Sequence, residues 1–219
     1  MRQSIDCLKR RFGGRAFCFE PDEGGLTRLR VSTDAAEAEL YLHGAHVTGF
    51  RPADAEPVLW MSHEARFAPG VAIRGGVPVC WPWFGPHESD PDAPMHGFAR
   101  LLEWELIGAE ARGDGALVTL RLRDDERTAA YAGQWSGRFE LLHRIEIGRS
   151  LRMTLETANR GDEPFEITEA LHSYFAVSDV REVTVRGLEG SEYIDKTDNF
   201  RRKQQTGPIT IDAETDPVY

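Results

Sequence analysis

The residues of this chain best suited to chemistry are two histidines, His96 and His172, and two arginines, Arg74 and Arg100. Imidazole as a class titrates near pH 6.5, so a facing pair of histidines can give and take protons at neutral pH. A guanidinium presents a planar fork that grips phosphate or carboxylate with two hydrogen bonds. Proton transfer on a small anionic molecule is the chemistry these types suit. Each also has a plainer reading. A lone histidine is ordinarily satisfied by a backbone carbonyl, and Arg74 is equally a salt-bridge partner for one of the chain's 36 acids.

Three of the four lie in residues 70–100, which hold five glycines, five prolines, Trp81 and Trp83. Glycine and proline at this density forbid long regular pairing and fix bends. The two indoles imply a packed aromatic wall, and an apolar wall with a few convergent polar groups is the usual make-up of a small-molecule site. We read the stretch as the floor and rim of an active site. If the run from Met95 is extended, His96, Phe98 and Arg100 share a face; His172 and Tyr174 share one in the same way. Arg74 precedes Gly75-Gly76, where absent side chains let a ligand or another backbone come close.

These residues need a scaffold, and the flanking sequence predicts antiparallel strands. Short period-two runs fall at 16–20, 29–32, 36–42 and 45–50, separated by turn residues such as Asp22-Glu23-Gly24-Gly25. Further strands are predicted at 57–60, 103–107, 116–123, 139–147, 151–159, 165–177, 183–185 and 209–211. Gly148-Arg149-Ser150 reads as a hairpin turn. Residues 124–131, with Asp124 as cap, form the only predicted helix. The fold class is all-β, a large antiparallel β-sandwich in one domain over residues 1–219.

Composition excludes several classes. The chain has 219 residues, 41% of them hydrophobic, enough for a core. A net charge of −10 argues against nucleic acid as partner, though local arginines still suit a small anion. No apolar run is long enough to span a membrane, and residues 1–19 lack the apolar core of a signal peptide. Cys7, Cys18 and Cys80 show neither metal nor disulfide spacing, which fits a cytoplasmic protein. His43-Gly44-Ala45-His46 has the look of a metal pair, but nearby carboxylates are not spaced to complete it; it reads better as a strand turn, and no metal is expected. His63, His87 and His143 lack informative partners. Arg201-Arg202-Lys203 reads as a solvated loop.

Several segments resemble the hexose-6-phosphate mutarotase (glucose-6-phosphate 1-epimerase) family of the galactose-mutarotase-like superfamily. They are G-A-H-V (44–47), V-L-W (58–60), A-I-R-G-G-V-P-V-C-W-P-W-F-G (72–85), H-G-F-A-R (96–100), A-L-H-S-Y-F (170–175) and E-T-D-P-V-Y (214–219), in family order. The R-G-G-x-P-V-C-W-P-W-F-G segment is the specific one. The resemblance implies a twisted supersandwich that interconverts α and β anomers of an aldohexose 6-phosphate without metal or organic cofactor. Carried over by position, Arg74 and Arg100 look like substrate-binding arginines suited to the phosphate. His172 looks like the general acid, His96 like a supporting substrate-site histidine, and Asp216 like a binder of sugar hydroxyls.

Opening a cyclic hemiacetal removes the anomeric hydroxyl proton while the ring oxygen receives one, so an acid and a base must face each other across the sugar. Two departures from the family stand out. Met95 occupies a substrate-binding position that commonly carries Gln, and a thioether makes no strong hydrogen bond. The family's catalytic glutamate lies well beyond the E-T-D motif, so the base is expected past residue 219 and the C-terminal part of the domain is expected to be missing. The alternative is a non-catalytic sugar-phosphate-binding or regulatory module. The expected partner is a small sugar phosphate; the sequence does not set the oligomeric state.

Overall fold

Alternation of apolar and polar residues does most of the folding. In the computed structural model, which describes residues 3–219, the chain opens with a helix α1 (Ile5–Phe12). Then come strands β1 (Phe17–Pro21), β2 (Thr27–Ser32), β3 (Ala36–Tyr41) and β4 (His46–Pro52). They pair in sequence order as an antiparallel meander. In β2, Thr27, Leu29 and Val31 are buried while Arg30 and Ser32 face solvent. After the two-residue strand β5 (Val79–Cys80), a second meander is built from β6 (Glu105–Arg112), β7 (Gly115–Arg123), β8 (Phe139–Ile147) and β9 (Leu151–Asn159). Gly148–Ser150 closes the β8–β9 hairpin, with Ile147 opposite Leu151.

The inward faces of the two meanders share one core. Phe19, Leu29, Leu40 and Val47 belong to it from the first sheet, and Leu106, Val118, Leu120, Leu141 and Ile145 from the second. Each fully buried Leu or Ile stabilises the fold by roughly 1.5–3 kcal/mol. The all-β antiparallel sandwich is therefore the observed architecture. Strand β10 (Ala170–Leu171) pairs with β5 and ties residues 168–176 to the 70–100 stretch.

The chain divides into two compact units, one running to Ala176 and one over Val177–Tyr219. The second contains β11 (Thr184–Val185), β12 (Glu192–Asp195), β13 (Arg201–Gln204), β14 (Ile209–Thr210) and β15 (Pro217–Val218). β13, β12 and β15 form one sheet; β11 and β14 pair separately. Lys203 lies 2.8 Å from both Asp195 and Asp198, and its hydrogen bond holds the Asp195 carboxyl down at about 2.

Three sequence expectations change. Residues 124–131 form no α-helix, only a 3-10 turn at Ala129–Tyr131. Asp124 is occupied instead with the Phe139 N–H (3.2 Å) and Arg138 (3.2 Å). The true helix is α1, capped by Ser4 accepting from the Cys7 N–H at 3.3 Å, with Leu8 buried. Its basic last turn suits the negative helix end. Lys203 and its neighbours lie in strand β13, not in a loop. The N-terminal reading also covered Met1 and Arg2, which lie outside the described residues.

Candidate active site

Residues 168–176 run antiparallel beside 76–82 as an irregular ladder. Thr168 N donates to Pro82 O (3.0 Å), His172 N to Pro78 O (3.0 Å) and Tyr174 N to Gly76 O (2.8 Å). On the other side, Trp60 N donates to Tyr174 O at 2.9 Å and Ala176 N to Val58 O at 2.9 Å. The long strand expected at 165–177 is thus regular only at Ala170–Leu171, because its partner is punctuated by Pro78 and Pro82, which have no N–H to donate. Alternation nevertheless survives: His172 and Tyr174 share a face, their rings stacked at 4.8 Å and 24°.

His96 arrives by a different route. Its backbone is left-handed (φ 63°), and Phe98 and residues 99–101 are helical, so the run from Met95 is not extended. Gly97 follows, also left-handed, pressed so close to the Trp81 carbonyl that no Cβ fits. His96 N donates to Gly85 O at 2.7 Å, and Gly85 N donates back to His96 Nδ1 at 2.9 Å. Because Nδ1 accepts, the neutral ring carries its proton on Nε2. The His96 and His172 rings stand edge to face at 6.0 Å, and Phe84 lies against both, at 4.7 and 6.2 Å. Trp60, 40% exposed, extends the series beyond Tyr174 at 6.0 Å. Phe84, Tyr174 and Trp60 were not singled out as site residues from sequence, although each lies in a segment quoted above.

Arg100 is partly buried. Its Nη2 donates to the Met95 carbonyl at 2.5 Å, while its Nε is buried with no protein group in hydrogen-bonding reach. Burial pushes the guanidinium down from its ordinary value, against the opposing fields of Cys80 and Tyr174. A cation in this state gains from an incoming anion. Met95 therefore acts here through its backbone, and its side chain is 49% exposed. Arg74 is exposed, and no ion pair to it is seen among the described residues. The glycines after it admit another backbone: Gly75 forms a bridge with Met61, and Gly76 N donates to Trp60 O at 2.7 Å. Asp216 belongs to the second unit, where Lys196 Nζ lies 3.2 Å from its carboxylate.

The two indoles sit deeper than a rim. Trp81 is fully buried among Phe139 (4.4 Å), Trp135 (4.8 Å) and Phe98 (5.7 Å); Trp83 donates to Pro94 O at 3.0 Å. Both pack against Phe98, at 5.7 and 6.0 Å. His87 is satisfied locally, with the Gln134 carbonyl 3.1 Å from Nε2. All three cysteines are free, and among the described residues no group of three or more His, Cys, Asp or Glu is placed to hold a metal ion.

The fold of two packed antiparallel meanders is similar to that of solved galactose mutarotase-like proteins. A galactose mutarotase-like protein from Clostridium acetobutylicum has this fold at a TM-score of 0.65 and 18% identity, over 81% of this chain and 60% of its own. The chain belongs to the aldose 1-epimerase family, whose profile matches residues 27–219. A “Putative glucose-6-phosphate 1-epimerase” of Escherichia coli (strain K12) is 42% identical over 195 residues, covering 89% of this chain and 63% of that protein. The crystal structure of a “putative mutarotase” from Salmonella typhimurium superposes at a TM-score of 0.85 with 35% identity, over 93% of this chain and 66% of that one. The chain thus spans just under two thirds of these relatives' length.

Proposed function

We propose that the protein interconverts the α and β anomers of an aldohexose 6-phosphate. The observation that carries the reading is the His96–His172 ring pair at 6.0 Å in a chain of the aldose 1-epimerase family. The part-buried Arg100, with an unsatisfied Nε, supports an anionic substrate. In this reading Arg100 and Arg74 hold the phosphate. His172 protonates the ring oxygen as the bond from that oxygen to the anomeric carbon breaks. A base takes the anomeric hydroxyl proton, leaving an aldehyde that rotates and recloses on its other face. His96, with its proton on Nε2, donates to a substrate oxygen. Each proton transfer supplies ~10²–10⁴-fold. The reaction takes place in the cytoplasm and needs no metal or organic cofactor.

NMR saturation transfer between the anomers of glucose 6-phosphate tests the proposal. Acceleration over buffer that disappears in His172→Asn supports it. No acceleration by the protein carried to its relatives' length removes it. Calorimetry on the 219-residue chain that shows binding while the longer protein shows no exchange favours the non-catalytic binding module instead.

A further inference from the structure

The H-G-A-H motif at 43–46 holds two buried histidines for which the proposed chemistry has no use. Neither points to a metal. His43 Nε2 lies 2.8 Å from the Val71 carbonyl, and His46 Nε2 lies 2.8 Å from the Gly75 carbonyl. A carbonyl oxygen only accepts, so both Nε2 atoms carry hydrogen and both rings act as donors. Their two acceptors bracket Arg74 in sequence.

We propose that His43 and His46 form a two-point clamp that positions Arg74 for the substrate's phosphate. This rests on the reading of Arg74 as a phosphate ligand. Gly75 (φ 105°) and Gly76 (φ 59°) limit pairing here to the isolated Met61 bridge, whose hydrogen bonds use Arg74 O and Gly76 N, so the Gly75 carbonyl is left to a side-chain donor. His46, 1% exposed, supplies it. Burial pushes its pKa down to about 4, with the charges of His43, Arg100 and His143 acting in the same direction and the Gly75 hydrogen bond opposing. The ring is therefore a neutral donor throughout the physiological range. Around it, Arg74 O accepts from Ser62 N (3.2 Å), and Gly76 O accepts from Tyr174 N (2.8 Å). With the backbone held on both sides, an exposed arginine is presented from a fixed base, which lowers the ordering cost of binding.

The test compares glucose 6-phosphate with glucose by calorimetry on the 219-residue chain, in wild type, His46→Leu, His46→Gln and His43→Leu. Peptide-level hydrogen exchange across 71–76 is followed in parallel. The clamp predicts that His46→Leu weakens phosphate-ester binding about tenfold, with glucose affinity held within twofold and exchange across 71–76 accelerated. His46→Gln, whose amide can donate to Gly75 O, recovers most of the loss. His43→Leu shows the same pattern at about threefold and serves if His46→Leu fails to fold. Equal loss for both ligands, or unchanged exchange across 71–76 in a folded variant, overturns the clamp. If wild type itself shows no preference for the phosphate ester, the phosphate reading of Arg74 falls and the positioning claim falls with it; the exchange data then report only whether the segment is clamped.

Discussion

Five of the seven histidines of the first unit fall into two groups, one open to a ligand and one committed to the fold. His96 and His172 are half-buried, edge to face at 6.0 Å, and set among Phe84 and Tyr174. His43, His46 and His143 are buried. Of these, the first two are spent on carbonyls. His143 packs on Trp104 at 6.4 Å, with neither ring nitrogen in a well-formed hydrogen bond. A half-exposed imidazole can exchange a proton with a ligand without unfolding anything. A buried one that must stay neutral makes the fold sensitive to acid.

Substitution should split the groups cleanly. His172→Asn is expected to slow anomer exchange by ~10²–10⁴-fold while leaving thermal stability nearly unchanged. His143→Ala should do the reverse and destabilise the sandwich. Saturation-transfer NMR and thermal unfolding on the same two variants check this. If both variants lose activity and stability together, the distinction between the groups is wrong.

Acid sharpens the contrast from the other side. Burial holds the His46 and His143 pKa values at about 4, below the ordinary imidazole value of 6.5. Between those limits the unfolded chain binds protons that the native chain refuses, so stability rises with pH there. The contribution is complete above pH 6.5 and is lost as pH falls toward 4. It is on the order of 3 kcal/mol per histidine. Urea unfolding at pH 7, 5.5 and 4.5 should follow this slope, and His143→Gln should flatten it. An unchanged slope would mean that His143 is not buried neutral.

The meanders were legible because inward positions alternate: Phe139, Leu141, Ile145 and Ile147 in β8 announce a strand with one buried face. The same periodicity placed His172 with Tyr174. It failed at His96, whose left-handed backbone is imposed by the Gly85 contacts and by Gly97 against Trp81, neither of which has a local signature. The helix was misassigned for a related reason. Asp124 is a good cap by type, but a distant strand claims its carboxylate, whereas α1 hides its Ile5, Leu8 and Phe12 stripe among basic residues. The H-G-A-H pair was noticed, but which acceptors it reaches depends on tertiary approach. Motif matching proposes the site residues, while the way they are held rests on tertiary contacts that leave no local signature.

Gly76 tests whether the buried group supports the half-buried one. A Cβ there would meet the Val47 carbonyl and come within 3.0 Å of His46 Nε2, and the backbone is already left-handed. Because the nearest neighbour is backbone, the strain has no easy outlet. Gly76→Ala should destabilise by roughly 2 kcal/mol. It should also weaken phosphate-ester binding more than glucose binding, as loss of His46 does. Chemical denaturation and calorimetry on one preparation separate the two effects. A stability loss with unchanged ligand preference would confine the buried histidines to the fold.

The smallest effect belongs to Arg74, and it is the most specific. The side chain is exposed and unpaired among the described residues, so Arg74→Ala removes no internal contact and should leave stability within about 0.5 kcal/mol of wild type. One charge-assisted interaction with phosphate, in a partly solvated setting, is worth about 1.4 kcal/mol, or tenfold in affinity. Phosphate-ester binding should therefore fall about tenfold, with glucose binding unchanged and the wild-type salt dependence reduced. Arg100→Ala makes the contrast internal to the site. Arg100 is partly buried and tied to the Met95 carbonyl, so its loss should cost both affinity and stability. If removing Arg74 instead weakens glucose and its 6-phosphate equally, the exposed guanidinium holds the sugar and not the phosphate, and anion selection rests on Arg100 alone.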